Sequence, residues 1–372
     1  MSTQTYRAWA TVDTGAIRHN LDVIRGRVGD TRLMAVLKAN AYGHGAVPMA
    51  RLLVQQGVHA LGVGDSGEAL ELREAGISAP ILIVGGVIPG EMPRVVAADI
   101  EVNLHTVPMA EELNAEAERQ GRTVRVHLKV DTGMGRLGMQ PFEAVPFLHN
   151  LRRLKHLQLV GLCTHFSYPN ERNPAFTTRQ LETFNLAVEV ARRLGYRDLT
   201  LHASSSLALF GRSDAYFNMV RTGIALWGHL PGGGAPWLAR LKPALSLKTR
   251  ILFIKEVPEG TPIGYNRTYY TPAPTRIATL PIGYDDGYRT ALSNKAEMLV
   301  RGVRCPVVGR VSMDYTTLDL GPVPDARVGD EVTLLGGEGK AAITLDEVAG
   351  WAQCVPYEFL CGLGRRVVRV YA

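Results

Sequence analysis

Leu33-Met34-Ala35-Val36-Leu37-Lys38-Ala39-Asn40-Ala41-Tyr42-Gly43-His44-Gly45 joins a short apolar run to a polar, glycine-containing end, and an amphipathic stretch of helical spacing follows it. That succession is the mark of a strand feeding a helix. The first two thirds of the chain repeat it at Ala60–Val63, Ile81–Val84, Val102–Leu104, Val124–Val130, Leu159–Phe166, Leu199–Ala203 and Phe217–Leu226. With Leu33–Leu37 these make eight units, the number that a closed parallel (β/α)8 barrel of the TIM type requires.

From about Leu245 the pattern changes. Leu245–Val257, Thr275–Pro281, Glu297–Val300, Val307–Val311, Thr316–Leu320, Glu331–Leu335 and Val367–Val370 are β-rich and separated by Pro and Gly turns. The expected class is therefore α/β, a barrel over residues 1–240 followed by an all-β domain over 241–372. The first residues, as far as about Ala10, could join the second domain. Pro231-Gly232-Gly233-Gly234 reads either as a flexible tip before it or as a disordered surface loop. Length agrees with two domains, since single cores level off at about 250–300 residues and this chain has 372.

Composition narrows the function classes. With 46% apolar and 20% charged residues the chain can bury a large core. The net charge of +6 is dispersed, with no basic run longer than pairs such as Arg152-Arg153 and Arg365-Arg366, so no nucleic-acid partner is expected. A mild positive balance suits anionic small ligands. Cys163, Cys305, Cys354 and Cys361 are widely spaced without a Cys-x-x-Cys pair, so neither a metal site nor a disulfide framework is expected. Residues 1–20 carry Arg7, Asp13 and Arg18 and lack a signal-peptide core, and the apolar stretch Pro80 to Pro89 is broken by Gly85-Gly86. The expected setting is cytoplasmic, with no membrane span.

Barrel enzymes place their reacting groups at the C-terminal ends of strands. Lys38 stands at the first such end, where partial desolvation would favour the neutral amine that forms a Schiff base with an aldehyde. A single lysine there more often snorkels to solvent. The seventh and eighth ends supply His202-Ala203-Ser204-Ser205-Ser206 and Arg221-Thr222-Gly223-Ile224, where barrels commonly bind phosphate. A lysine facing a phosphate cup suggests an aldehyde cofactor that bears a phosphate.

At Ala35 to Gly45 the chain resembles the pyridoxal-phosphate attachment motif of bacterial alanine racemases. The resemblance continues through Trp9–Asp13, Val130-Asp131-Thr132-Gly133-Met134-Gly135-Arg136-Leu137-Gly138, Asn218–Ile224, Gly264-Tyr265, Gly283–Tyr288 and Gly309–Asp314, in order and into the β domain. It implies pyridoxal 5'-phosphate as cofactor, two-base interconversion of L- and D-alanine, D-alanine supply to peptidoglycan, and a homodimer with shared active sites. Lys38 is similar to the cofactor-bearing lysine and first base, and Tyr265 to the second base, supplied by the partner subunit.

His165 matches the histidine that packs against the cofactor ring and links Tyr265 towards Arg221, although alone it would read as a core histidine. Arg221 matches the arginine at the pyridine nitrogen, with His202 behind it; without the motif it would read as a rim ion pair. An arginine donates to that nitrogen without protonating it, which leaves a weaker electron sink. Tyr42, Ser206, Gly223, Ile224 and Tyr357 correspond to phosphate-binding positions, where tyrosines would otherwise be packing residues. Arg136 and Met313 correspond to substrate-carboxylate positions, Met313 through its backbone amide, and Tyr284 lies behind the site. Lys129 matches a lysine carbamylated in many members; an ordinary salt bridge is the alternative.

Two departures from the family pattern are Ser312, where many relatives carry cysteine, and Ser167-Tyr168-Pro169-Asn170, which replaces a small-residue stretch ending in aspartate on the substrate's access route. Three other activities share part of this pattern. A racemase of serine or of broader range shares these features. A decarboxylase of the same architecture would place an acid opposite the pyridine nitrogen, where Arg221 stands. A non-catalytic pyridoxal-phosphate carrier would lack the β domain and Tyr265.

Overall fold

The computed structural model describes residues 6–169, 174–230 and 238–372. Asn170 and Pro231-Gly232-Gly233-Gly234 lie outside the described residues. The chain divides into two compact units, one formed by Arg18–Lys242 and the other by Pro243–Ala372 with the described residues up to Ile17. The N-terminus belongs to the second unit because strand β1 (Ala8–Val12) pairs antiparallel with Leu245–Arg250 and parallel with Val368–Tyr371.

The first unit is the barrel. Its strands are β2 (Arg32–Val36), β3 (Ala60–Val63), β4 (Ile81–Ile83), β5 (Glu101–Leu104), β6 (Val124–Lys129), β7 (Leu157–Cys163), β8 (Thr200–His202) and β9 (Met219–Thr222). They run in the order β8-β7-β6-β5-β4-β3-β2-β9, every neighbouring pair parallel. Among the described residues β8 and β9 share no ladder. The Asn218 side chain bridges that seam instead, Oδ1 accepting from Leu201 N at 2.7 Å and Nδ2 donating to Leu199 O at 2.8 Å. A carboxamide offers the donor and acceptor of a peptide group, so one side chain stands in for the missing ladder. Above it, Arg221 N donates to Ser204 O at 3.0 Å.

Met34, Ala60, Leu82 and Met219, from β2, β3, β4 and β9, pack as one buried apolar cluster with Val84 against it. Strands β5 to β8 differ: Glu101, Asn103, His127, Lys129, Cys163 and His202 are all buried there. Buried polar groups need partners, and those partners build the site below. The covering helices are held by local chemistry and apolar faces. Asp65 and Thr106 cap Ser66–Glu74 and Val107–Arg119, and Ala175–Arg193 buries Leu181, Phe184, Val188 and Ala191 at helical spacing.

The second unit contains β10 (Leu245–Arg250), β11 (Phe253–Val257), β12 (Pro262–Ile263), β13 (Tyr269–Tyr270), β14 (Thr275–Leu280), β15 (Glu297–Val300), β16 (Val303–Pro306), β17 (Thr316–Asp319), β18 (Glu331–Glu338), β19 (Ala341–Ile343) and β20 (Val368–Tyr371). The largest sheet has the order β16-β15-β18-β10-β1-β20, with β19 on β18; β11-β14-β17 form a second sheet and β12-β13 a hairpin. Among the described residues no helix is long and apolar enough to cross a membrane.

Four expectations are corrected. The run Phe217–Leu226 is a strand only over Met219–Thr222; its remainder folds into turns closed by Leu226 N to Gly223 O and Trp227 N to Ile224 O. Hydropathy cannot tell a buried turn from a buried strand. Leu245–Val257 is two strands, because the chain leaves the β18 ladder after Arg250 and enters the β14 ladder at Phe253. Val307–Val311 is not a strand: β16 ends at Pro306, Val307 makes one bridge to Leu318, and Gly309 turns at φ +76°. The unit is strand-rich rather than all-β, since helices Leu345–Ala352 and Pro356–Cys361 belong to it. The first starts at a capping box in which Thr344 Oγ1 accepts from Glu347 N and the Glu347 carboxylate accepts from Thr344 N.

Candidate active site

Lys38 lies two residues beyond β2 and is exposed, not partly desolvated as its place in the sequence suggested. The reason is the backbone that follows. Ala39, Asn40, Ala41 and Tyr42 all take φ of 53° or 54°, a left-handed turn that carries the chain out of the barrel wall. Left-handed geometry costs an L-residue about 1–2 kcal/mol each, so the turn stores roughly 4–8 kcal/mol.

Its surroundings hold it. Glu68 accepts from Ala39 N at 2.5 Å and from Gly64 N at 2.7 Å, Asn40 Oδ1 accepts from Ala46 N at 2.7 Å, and Ala41 N donates to Leu37 O at 2.6 Å. His44 Nδ1 lies 3.0 Å from the carbonyls of both Ala41 and Tyr42, and its ring stacks on Trp227 at 4.6 Å.

The turn delivers Tyr42 to Gly223. A Cβ placed on Gly223 would lie 2.6 Å from the Tyr42 hydroxyl, so no other residue fits there without displacement. Ser206 Oγ accepts from Gly223 N at 3.0 Å and Ala225 N at 3.4 Å, and Ile224 is buried between them. Beside this cradle the Ser204 and Thr222 hydroxyls are buried without a partner among the described residues. Unpaired buried hydroxyls are costly, and here they accompany a glycine and two hydroxyl side chains, a donor set that fits a phosphate.

Arg221 lies deeper. Nη1 donates to His202 Nδ1 at 2.9 Å and His202 O at 2.7 Å, while Nη2 is shared among Thr164 O at 2.8 Å, Ala203 O at 3.0 Å and His165 Nδ1 at 3.1 Å. The terminal donors are thus spent on the protein, and Nε–H remains for a ligand. Arginine has no acceptor, so both histidines accept at Nδ1 and carry their proton on Nε2. Burial, reinforced by the Arg221 charge, holds the His165 and His202 pKa values well below the usual range and keeps both rings neutral.

Arg136 belongs to a loop built on one carboxylate. Asp131 Oδ1 accepts from the amides of Gly133, Met134 and Gly135 at 3.0, 2.8 and 3.1 Å, and Met139 N returns to Lys129 O at 2.8 Å. Gly133 and Gly135 take φ of +130° and +70°, which lets three successive amides point inward. Lys129, at the end of β6, is buried; burial lowers its pKa and the charges of Arg221 and Arg136 lower it further.

Tyr265, Tyr284, Met313 and Tyr357 belong to the other unit. Tyr265 follows Gly264, at φ +72°, and exposes 70% of its surface. Tyr284 and Met313 are also exposed, and their loops are zipped by Tyr284 N to Ser312 O at 3.0 Å and Asp285 N to Met313 O at 3.2 Å. Arg366 clamps both loops by bonding Asp286 and Asp314. Ser312 Oγ accepts from Tyr315 N at 3.1 Å, so the serine is a turn-forming residue. Tyr357 sits half-buried on Pro356–Cys361, and Tyr168 is exposed. Among the described residues no cluster could hold a metal ion.

Sequence reasoning missed Glu68, Asp131 and the buried pair Glu101 and His127. The last two had a weak signal, a carboxylate and an imidazole in the strands Glu101–Leu104 and Val124–Lys129, which carry other polar residues as well.

The alanine racemase N-terminal domain family matches residues 12–231 and the alanine racemase C-terminal domain family residues 244–371. The chain is 44% identical over 98% of its length to an alanine racemase of Symbiobacterium thermophilum and 42% identical over 97% to one of Geobacter sulfurreducens, each covered to 96%. Among solved structures it resembles an alanine racemase of Bacillus anthracis with bound L-Ala-P, at a TM-score of 0.93 and 34% identity, covering 100% of this chain and 96% of that one. It also resembles an alanine racemase of Bartonella henselae with covalently bound pyridoxal phosphate, at a TM-score of 0.87 and 29% identity, covering 98% and 99%.

Proposed function

The chain belongs to the alanine racemase family, and from that premise we propose how its residues divide the work of interconverting L- and D-alanine. It is a pyridoxal-phosphate-dependent isomerase. When bound, the cofactor supplies an aldehyde for the amine and a ring that draws electron density from Cα. The observation that carries the assignment is Arg221. A guanidinium with its Nη donors saturated and Nε–H left over hydrogen-bonds a pyridine nitrogen without protonating it, which suits proton exchange at Cα and opposes decarboxylation.

Lys38 holds the cofactor and is the base on one face of Cα. The partner subunit's Tyr265 is the base on the other, and its 70% exposure on its own unit supports a site completed by a second copy. His165, neutral with its proton on Nε2, hydrogen-bonds that phenolic oxygen and links it to Arg221. Tyr42, Ser206, Gly223 and Ile224, with Tyr357, hold the phosphate. Arg136 and the Met313 amide orient the substrate carboxylate.

Lys129 is carbamylated in this reading. Its burial favours the neutral amine, which adds CO2 and releases one proton to water, and the resulting carbamate anion would be matched by Arg136 and Arg221. A homodimer with shared sites, a cytoplasmic setting without nucleic-acid or membrane partners, and supply of D-alanine for peptidoglycan complete the proposal.

Purified holoenzyme assayed with alanine, serine and lysine tests it. Inversion of alanine well above the other two is expected, and release of CO2 from lysine would overturn it. Borohydride reduction followed by peptide mass spectrometry should find the cofactor on Lys38; an adduct elsewhere would remove Lys38 from its role.

A further inference from the structure

Behind Arg221 a single file of side chains crosses the polar half of the barrel. His202 Nε2 lies 2.9 Å from His127 Nδ1, and His127 Nε2 lies 3.2 Å from Glu101 Oε2. The other Glu101 oxygen accepts from Arg125 Nε at 2.9 Å. Glu101, His127, His202 and Arg221 are all buried.

The barrel wall is shaped around the middle of this file. Strand β6 shifts its register against β7 between Val126 and His127, and a Cβ on Gly161 of β7 would stand 2.2 Å from His127 Nδ1. The two imidazoles meet edge to face with centroids 5.0 Å apart. A bulge and an absent side chain on one ring are the marks of a specified position.

We propose that Glu101 is a positioning residue of the racemase site, holding Arg221 through His127 and His202. The proposal rests on the role given to Arg221 above. Both ends of the file are one-way. Arg221 only donates, so His202 accepts at Nδ1 and donates from Nε2; His127 then accepts at Nδ1 and donates from Nε2 to an acceptor-only carboxylate. Every hydrogen bond has one allowed sense, running from Arg221 to Glu101, whose carboxylate is the acceptor that lets the file end without a conflict. Arg221 forms no ion pair among the described residues, and Glu101 is the carboxylate to which its hydrogen bonds lead.

Glu101→Gln inverts that end. Arg125 Nε must still donate, so the carboxamide turns its oxygen to Arg125 and its NH2 to His127 Nε2. His127 then carries its proton on Nδ1 against the Nε2–H of His202. Somewhere between His127 and Arg221 one hydrogen bond must break.

The test reads the ring-nitrogen resonances of isotope-labelled histidines in the holoenzyme, wild type against Glu101→Gln, together with kcat and KM for alanine. The wild type should show His127 and His202 protonated at Nε2 alone. In the variant the His127 proton should move to Nδ1, the His202 signals should change, and kcat should fall about tenfold with KM within about twofold, the size of one misaligned charged hydrogen bond. If that variant fails to fold, His127→Leu keeps the Glu101–Arg125 pair and should change the same His202 signals and kcat.

Unchanged ring signals overturn the proposal, whether or not kcat falls, because a fall would then reflect structure alone. Changed ring signals with an unchanged kcat overturn it as well, while leaving the racemase reading intact. A wild type that does not invert alanine fails that reading separately.

Discussion

Gly223→Ala adds one methyl group at the point where the left-handed turn meets the loop proposed to hold the phosphate. Its Cβ would stand 2.6 Å from the Tyr42 hydroxyl and 3.1 and 3.2 Å from Cζ and Cε2 of the ring. Ordinary contacts lie near 3.5 Å, so the hydroxyl must retreat by roughly 1 Å. Because the turn's backbone is held by the bonds at Glu68, Asn40 and Leu37, the retreat must come from the ring's own torsions, away from its present rotamer. Overpacking of this kind costs about 1–3 kcal/mol. Tyr42 and Gly223 are assigned to the same phosphate, so the cost should appear in cofactor affinity, as a Kd raised about 5- to 150-fold. Titration of apoenzyme with pyridoxal phosphate, followed by absorbance, measures it. A folded variant that binds the cofactor as tightly as the wild type would refute the placement of the phosphate at this contact.

Other outcomes follow from the same geometry. Carbamylated Lys129 should appear as branched density at Nζ in a well-ordered crystal structure, and an unbranched amine would count against it. Co-expression of Lys38→Ala with Tyr265→Phe should restore about a quarter of wild-type activity if chains pair randomly and sites are shared, because half of the dimers are mixed and each has one intact site. No recovery in a sample shown to contain mixed dimers would place both bases in one chain. The lowered pKa values of His165 and His202 mean that the unfolded chain binds more protons than the folded one just below the ordinary histidine range. Stability present above pH ~6.5 is therefore lost as pH falls, by up to about 2.7 kcal/mol per pH unit for two such groups. Calorimetry between neutral and mildly acid pH should record the fall, and a flat Tm would show that the two rings are not held neutral.

The eight strand–helix units and the change of pattern near Leu245 were legible because parallel strands covered on both faces leave continuous apolar runs. The same reasoning overextended the last of them, since Gly223 to Gly228 is apolar and buried but turned. It missed helix Leu345–Ala352 although Thr344-Leu345-Asp346-Glu347 spells a capping box, because β-rich surroundings outweighed a local signal. In the site, Arg221 and Gly223 were legible as residues at strand ends. The exposure of Lys38 was not, because four successive left-handed residues of ordinary type leave no trace in composition. Glu101 and His127 were hidden for another reason. Their meaning lies in contacts between β5, β6 and β8, which no single strand reports.

The turn at Ala39–Tyr42 has a consequence in stereochemistry. Mirror symmetry makes the αL basin the preferred helical basin of D-residues, so Ala39 and Ala41 sit in the conformation natural to D-alanine while being L-residues. A semisynthetic chain with D-alanine at the exposed Ala39 would remove the left-handed penalty there, about 1–2 kcal/mol, by exchanging the methyl and the hydrogen on one Cα. Lys38, proposed to bear the cofactor, is thus followed by a short turn of the wrong hand, built from L-residues alone in a member of a family that interconverts L-alanine with the residue that would fit it.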